Sequence, residues 1–193
     1  MSINNKFTMK INSDIEKKIE HIGLNYLSRF ETSEKQFLDF LRKKLFDKNF
    51  TLNKNEKENL IKNILTKMKK LHYVNDIRYS NLKSNQIFNS GGSQKMIKAK
   101  LMAKGIPENI IKNSLEILLN NDKNEFFAAL IYLKKRRIGV FFSKKINKNN
   151  HAELKKKWFG ALARRGFSFE IAKEVLNIED QLNAENIINR MKI

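Results

Sequence analysis

"KAKLMAKGIP" (98–107) and "GALARRGFSF" (160–169) spell nearly one phrase twice, and "RKKLFDKNFT" (42–51) is a looser third copy. Aligned on their apolar residues, Leu41–Leu45–Phe50, Ile97–Leu101–Ile106 and Trp158–Leu162–Phe167 share one spacing, four residues and then five. A four-residue step is close to one helical turn, so the first two residues of each set stack on one helix face. Between the second and third stands Asn49, Gly105 or Gly166. Glycine and asparagine tolerate the left-handed conformation that closes a helix at its C-terminus. Lys48, Lys104 and Arg165 come just before and suit the negative end of the helix dipole. Each phrase reads as a helix, a left-handed stop and an apolar residue that docks back on the bundle.

A new helix follows each stop. Asn53 with Glu56 forms a capping-box pattern, Pro107 suits a first helical turn, and Ser168 is an N-cap residue. The later copies also place apolar residues at matching distances beyond the turn, Ile110 with Leu115 and Ile171 with Leu176. A helix precedes each phrase, and periodicity puts these first helices at 14–30, 76–89 and 123–136. In the first, Ile15, Ile19, Ile22, Tyr26 and Phe30 recur at steps of three and four. Leu60, Ile61, Ile64, Leu65, Met68 and Leu71 make the clearest stripe in the chain. With one proline, few Val or Thr and no sustained alternation, strands are not indicated. The predicted fold is all-α, an elongated tandem array of three three-helix bundles, each resembling helix–turn–helix. Its parts are a flexible N-terminus (1–13), repeats at 14–74 and 75–121, and a third repeat with a C-terminal helix at 122–193.

Charge indicates the partner. The 193 residues carry 39 Lys+Arg against 20 Asp+Glu, a net charge of +19. Such a field draws polyanions, above all nucleic acid or a nucleoprotein surface. An AT-rich coding sequence would also enrich Lys, Asn and Ile, but would not by itself suppress Asp and Glu. The window 134–165 holds twelve Lys/Arg and one acid, Glu153. Within it, Lys134, Lys135, Arg136, Arg137, Lys144, Lys145, Arg164 and Arg165 are the leading candidate contacts, with Lys95, Lys98 and Lys104 a second tier. Arg165 and Lys104 have a second reading as helix-end residues. The run 134–137 admits one too, since basic residues in a last turn complement the dipole. Phe141 and Phe142 lie among these cations, either buried under the third bundle or free to stack on bases.

Enzymatic chemistry finds no foothold. His21, His72 and His151 are scattered without ligand spacing, there is no cysteine, and no catalytic serine or carboxylate motif is present. We therefore expect no metal, no cofactor and no catalysis. Gly91–Gly92–Ser93 ahead of Lys95 reads either as a loop with Ser93 capping the next helix or as a small phosphate cradle. No apolar run approaches the ~20 residues of a membrane helix, and "MSINNKFTMKINSD" lacks the core of a signal peptide. A cytoplasmic monomer with no membrane contact is expected.

Four segments together resemble the RecX family of bacterial regulatory proteins. They are "NYLSRFETSEKQFLDFLRKKL" (25–45), "GGSQKMIKAKLMAKGIPENII" (91–111), "FFAALIYLKKRRIG" (126–139) and "ALARRGFSFEIAKEVL" (161–176), and they occur in the family's order. The similarity is greatest to the alphaproteobacterial branch. It implies an array of three-helix repeats, in agreement with the periodicity. It also implies a non-enzymatic modulator of the RecA recombinase, which binds in the groove of the RecA–DNA filament and lowers its ATPase, strand-exchange and coprotease activities. Direct binding of single- and double-stranded DNA belongs to the same expectation. The chain departs from the family pattern at "NDIRYS" (75–80), at "LKSNQI" (82–87), where basic residues are thinned, and at "GVFF" (139–142) after the basic run. These departures move the expected contact toward the third repeat. Without the resemblance, the residues fit equally a general DNA-binding bundle of nucleoid or transcription-factor type.

Overall fold

Apolar steps of three and four become helices throughout the computed structural model, which describes residues 3–47, 50, 52–143 and 148–190. In order these are α1 (Ile3–Leu27), α2 (Glu34–Asp47), α3 (Lys54–Lys70), α4 (Asp76–Asn89), α5 (Gln94–Ala103), α6 (Glu108–Asn120), α7 (Glu125–Arg136), α8 (Lys148–Arg164), α9 (Phe169–Leu176) and α10 (Gln181–Arg190). A 3₁₀ turn at Gly139–Phe141 separates α7 from α8. No strand occurs among the described residues. The expected first helices at 76–89 and 123–136 are α4 and α7. Helix α1 differs. It starts at Ile3, ahead of the expected 14. It stops at Leu27, so Phe30 leaves the expected stripe and stands 55% exposed.

The chain forms two compact units, Met1–Tyr79 with Lys104–Ile106, and Ser80–Ala103 with Pro107–Ile193. In the N-terminal unit Ile15, Ile19, Phe37, Leu41, Leu45, Ile61, Ile64 and Met68 make the core. Leu71 ends the α3 stripe as its C-cap and is exposed. A Cβ on Gly23 would meet the Phe37 ring at 3.1 Å, so α1 and α2 cross closely there. In the C-terminal unit Ile97, Leu101, Ile111, Leu118, Leu130, Leu133, Leu162 and Val175 are buried. Phe141 is also buried, and Phe142 packs against Trp158 with ring centroids 5.4 Å apart, so burial is the reading that holds for this pair.

The caps form as their residue types dictate. Asn53 and Glu56 close a capping box on α3, in which Oδ1 of Asn53 accepts from the Glu56 amide at 3.0 Å and the Glu56 carboxylate accepts from the Asn53 amide at 2.8 Å. Asn53→Ala should cost about 1 kcal/mol, read as a lower midpoint in urea with an unchanged slope. Ser168 caps α9 through the Ile171 amide, and Pro107 is the N-cap of α6, one position ahead of its first turn.

The repeated phrase closes its helices as its glycines require. Gly105 and Gly166 have φ of 77° and 94°. At the end of α8 the Phe167 amide donates to the Leu162 carbonyl at 3.2 Å and the Gly166 amide to Ala163 at 2.9 Å, the two bonds of a Schellman stop. Ile106 and Phe167 are buried behind these turns. The third copy's stop, Lys48–Asn49, lies outside the described residues.

The phrase also serves as a dock. In the N-terminal unit the Ser33 hydroxyl, which caps α2 by accepting from the Gln36 amide, donates to the Lys104 carbonyl at 2.7 Å. The Glu34 amide donates to the Asp76 carboxylate at 2.8 Å, and a Cβ on Gly105 would fall 2.6 Å from the Lys35 side chain. The C-terminal unit repeats the set. Ser93 caps α5 through the Met96 amide and donates to the Arg165 carbonyl at 2.8 Å. The Gln94 amide donates to the Glu125 carboxylate, and a Cβ on Gly166 would fall 2.5 Å from Ser93 Oγ. Burial pushes both acceptor carboxyls, Asp76 and Glu125, above the usual range, against the lowering pull of the amides they accept. Each glycine is thus needed for its φ and for the missing Cβ.

Candidate polyanion-binding surface

The basic run at the end of α7 divides by role. Lys135 Nζ donates to the Asn89 carbonyl at 2.8 Å, and Lys134 lies 3.9 Å from the Glu185 carboxylate on α10. These two lysines tie α7 to its neighbours. Arg136 and Arg137 point into solvent, and among the described residues neither has a carboxylate within ion-pair distance. Arg137 holds the left-handed stop itself, at φ 53°, a conformation that favours glycine. Its amide and that of Ile138 close the turn on the Lys134 and Leu133 carbonyls. An L-residue there costs roughly 1–2 kcal/mol. Arg137→Gly should therefore raise the thermal midpoint while weakening polyanion binding. Calorimetry beside a binding titration checks both signs.

Arg165 is mainly architectural. Its Nε donates to the Gly91 carbonyl at 3.0 Å, one Nη donates to the Ser90 carbonyl at 3.1 Å, and the guanidinium lies 5.2 Å from the Tyr132 ring centroid. This settles the glycine-rich stretch. Gly91 and Gly92 turn tightly, with Gly91 against the α7 backbone, the Ser90 and Gly91 carbonyls accept from Arg165, and Ser93 is the α5 cap. The turn is a dock for α8, and the phosphate-cradle reading falls away.

Beside that dock α5, α7 and α8 enclose an open groove of about 490 Å³. Met96, Ile138 and Ala161 supply a half-buried apolar floor, with the edge of Tyr132. Arg136, Arg164 and Arg165 supply the walls. The sequence-predicted residues Arg136, Arg164 and Arg165 thus come together. Arg137 follows Arg136 directly, and Lys95 is exposed near Gly166. Lys98 is paired with Glu108 at 2.7 Å, and Lys104 belongs to the N-terminal unit, where its carbonyl serves Ser33. Lys144 and Lys145 lie outside the described residues. Charge density alone missed the floor. Tyr132 and Arg136, one turn apart on α7, were the available signal. No group of metal-ligating side chains occurs among the described residues, and no helix there is long and apolar enough to cross a membrane.

Known proteins share this organisation. A regulatory protein RecX of Myxococcus xanthus is 28% identical over 162 residues, covering 82% of this chain and 84% of that protein. A regulatory protein RecX of Finegoldia magna is 29% identical over 155 residues, covering 80% of this chain and 68% of that one. The similarity to these RecX proteins runs through most of the chain. Streptococcal RecX proteins are longer, and this chain spans 60% of one from Streptococcus pyogenes at 28% identity. No protein-family model matches the chain. Among solved structures, RecX from Lactobacillus salivarius superposes with a TM-score of 0.58 at 24% identity, covering 87% of this chain and 98% of that one. A second crystal structure of a regulatory protein RecX gives 0.64 at 16% identity, covering 92% and 79%. Both likenesses bear on the fold, an array of three-helix bundles. The relatives that match in sequence carry the name regulatory protein RecX.

Proposed function

We propose that this chain is a RecX-type regulator of RecA, binding the RecA–DNA filament groove and lowering its ATPase, recombinase and coprotease activities without being an enzyme itself, and that the arginine-walled surface of α7 and α8 makes the contact. The observation that carries the reading is the similarity to RecX proteins joined to that surface, where guanidinium groups converge without a neutralising carboxylate among the described residues. Arginine forks suit phosphates and carboxylates alike, and a nucleoprotein filament offers both. Arg136, Arg137 and Arg164 make the primary contacts in this proposal, Lys95 and Lys98 flank them, and Arg165 holds the frame. The protein acts as a cytoplasmic monomer that also touches single- and double-stranded DNA directly. Its place in the alphaproteobacterial branch rests on the motif resemblance.

Binding titrations against cognate RecA filaments, bare single strands and duplex across salt concentrations test this. A general DNA-binding protein would lose affinity on duplex with a slope near −0.9 in log K per neutralised phosphate, and would gain nothing from RecA. A filament regulator binds the filament more tightly than either DNA and keeps that preference as salt rises.

A further inference from the structure

We infer that the groove between α5, α7 and α8 seats a segment of protein, an acidic side chain next to an apolar one, and is not a phosphate track. The inference rests on the filament reading above and adds which component of the filament this site grips. A phosphodiester needs cations and no floor. This groove has a floor of Met96, Ile138 and Ala161, about half-buried and unclaimed by any side chain of the unit. Its 490 Å³ exceeds what one phosphate fills and suits an aliphatic or aromatic side chain. Bases would need an exposed ring to stack on, and the groove offers none. Tyr132 is buried to 8% exposure with its face covered by Arg165, while Phe142 and Trp158 pack on each other outside the groove.

The walls explain the acid. Arg165 is fixed by its bonds to Ser90 and Gly91, which keeps a positive charge at the back of the groove without spending all of its N–H donors. Arg136 on α7 and Arg164 on α8 line the groove as well. A carboxylate entering between them meets two forks, while its apolar neighbour covers the floor and excludes water. Such desolvation is what makes a central arginine contact count in a protein interface.

Two variants with opposite chemistry test this. Ala161→Phe fills the floor and leaves the charge unchanged, and Arg136→Ala with Arg164→Ala removes the forks and leaves the floor open. Circular dichroism and thermal melts confirm that both fold. Each is titrated against cognate RecA filaments on single-stranded DNA and against the same DNA alone. The inference predicts that Ala161→Phe weakens filament binding by about thirty-fold, as loss of a central contact does, with bare-DNA binding within about two-fold of wild type. It predicts the same filament loss for the arginine variant, with a smaller loss on DNA. If Ala161→Phe leaves filament binding intact, or if both variants lose filament and bare DNA in parallel, the groove is not a protein-docking site. Wild-type protein that shows no preference for the filament would instead overturn the reading on which the inference rests.

Discussion

Gly91→Ala is expected to destabilise the C-terminal unit by about 2–5 kcal/mol, the sum of a left-handed penalty for an L-residue and an overpacked contact. Gly91 has φ 73°, and a Cβ there would fall 2.7 Å from both the N and Cα of Tyr132. Those are backbone atoms inside a buried helix, so they cannot swing aside as a side chain would. Relief would require the turn to lift from α7, which breaks the Arg165 bonds to the Ser90 and Gly91 carbonyls. A protein of this size should lose about 10 °C in thermal midpoint. Gly160→Ala is the internal control. Gly160 lies within α8, and its added Cβ meets only the Arg164 guanidinium at an ordinary 3.4 Å. That substitution should stabilise by up to about 1 kcal/mol. A scan placing the two variants on the same side of wild type would refute the packing described for the turn.

Charge reversal at Arg136 and Arg137 is expected to abolish regulation of RecA with helicity unchanged. Neither residue has an acidic partner among the described residues, so Arg136→Glu with Arg137→Glu breaks no ion pair seen here. The left-handed stop at 137 stays occupied by an L-residue, so its strain is unaltered. Net charge falls by four from +19, and a smaller general attraction would account for only part of the effect. Reversal of Lys17 and Lys18, exposed on α1, makes the same change of charge elsewhere and serves as the control. Placing like charges where an interface expects opposite ones costs several kcal/mol, so filament affinity should fall by about 100-fold or more. The α1 control should lose only a few-fold.

Much of the fold was readable because helical periodicity and left-handed stops are local signals. Leu101 and Leu162 fall a turn from their partners, and Gly105 and Gly166 mark the stops, so the helices around them follow from neighbouring residues. The docking set of Ser33 and Ser93 was not readable. Each serine serves a carbonyl 71 or 72 residues away, and no local pattern announces such a pairing. The left-handed stop at Arg137 was not readable either. Propensity favours glycine at a left-handed position, yet His72 and Asp122 hold φ of 58° and 57° as Arg137 holds 53°. In the candidate site, charge density found Arg136 and Arg164, but it ranked Lys134, Lys135 and Arg165 equally, although carbonyl or carboxylate partners occupy them. The groove floor was invisible, since Met96, Ile138 and Ala161 come from three separate segments that only folding brings together.

The measurement that bears most directly on the whole account is a titration of this protein into cognate RecA turning over ATP on single-stranded DNA, repeated across salt concentrations. A filament-groove regulator predicts that ATP hydrolysis falls at well below one protein per RecA, with the arginine-reversed protein inert in the same assay. Hydrolysis that stays unchanged at equimolar protein, with both partners folded, would contradict it.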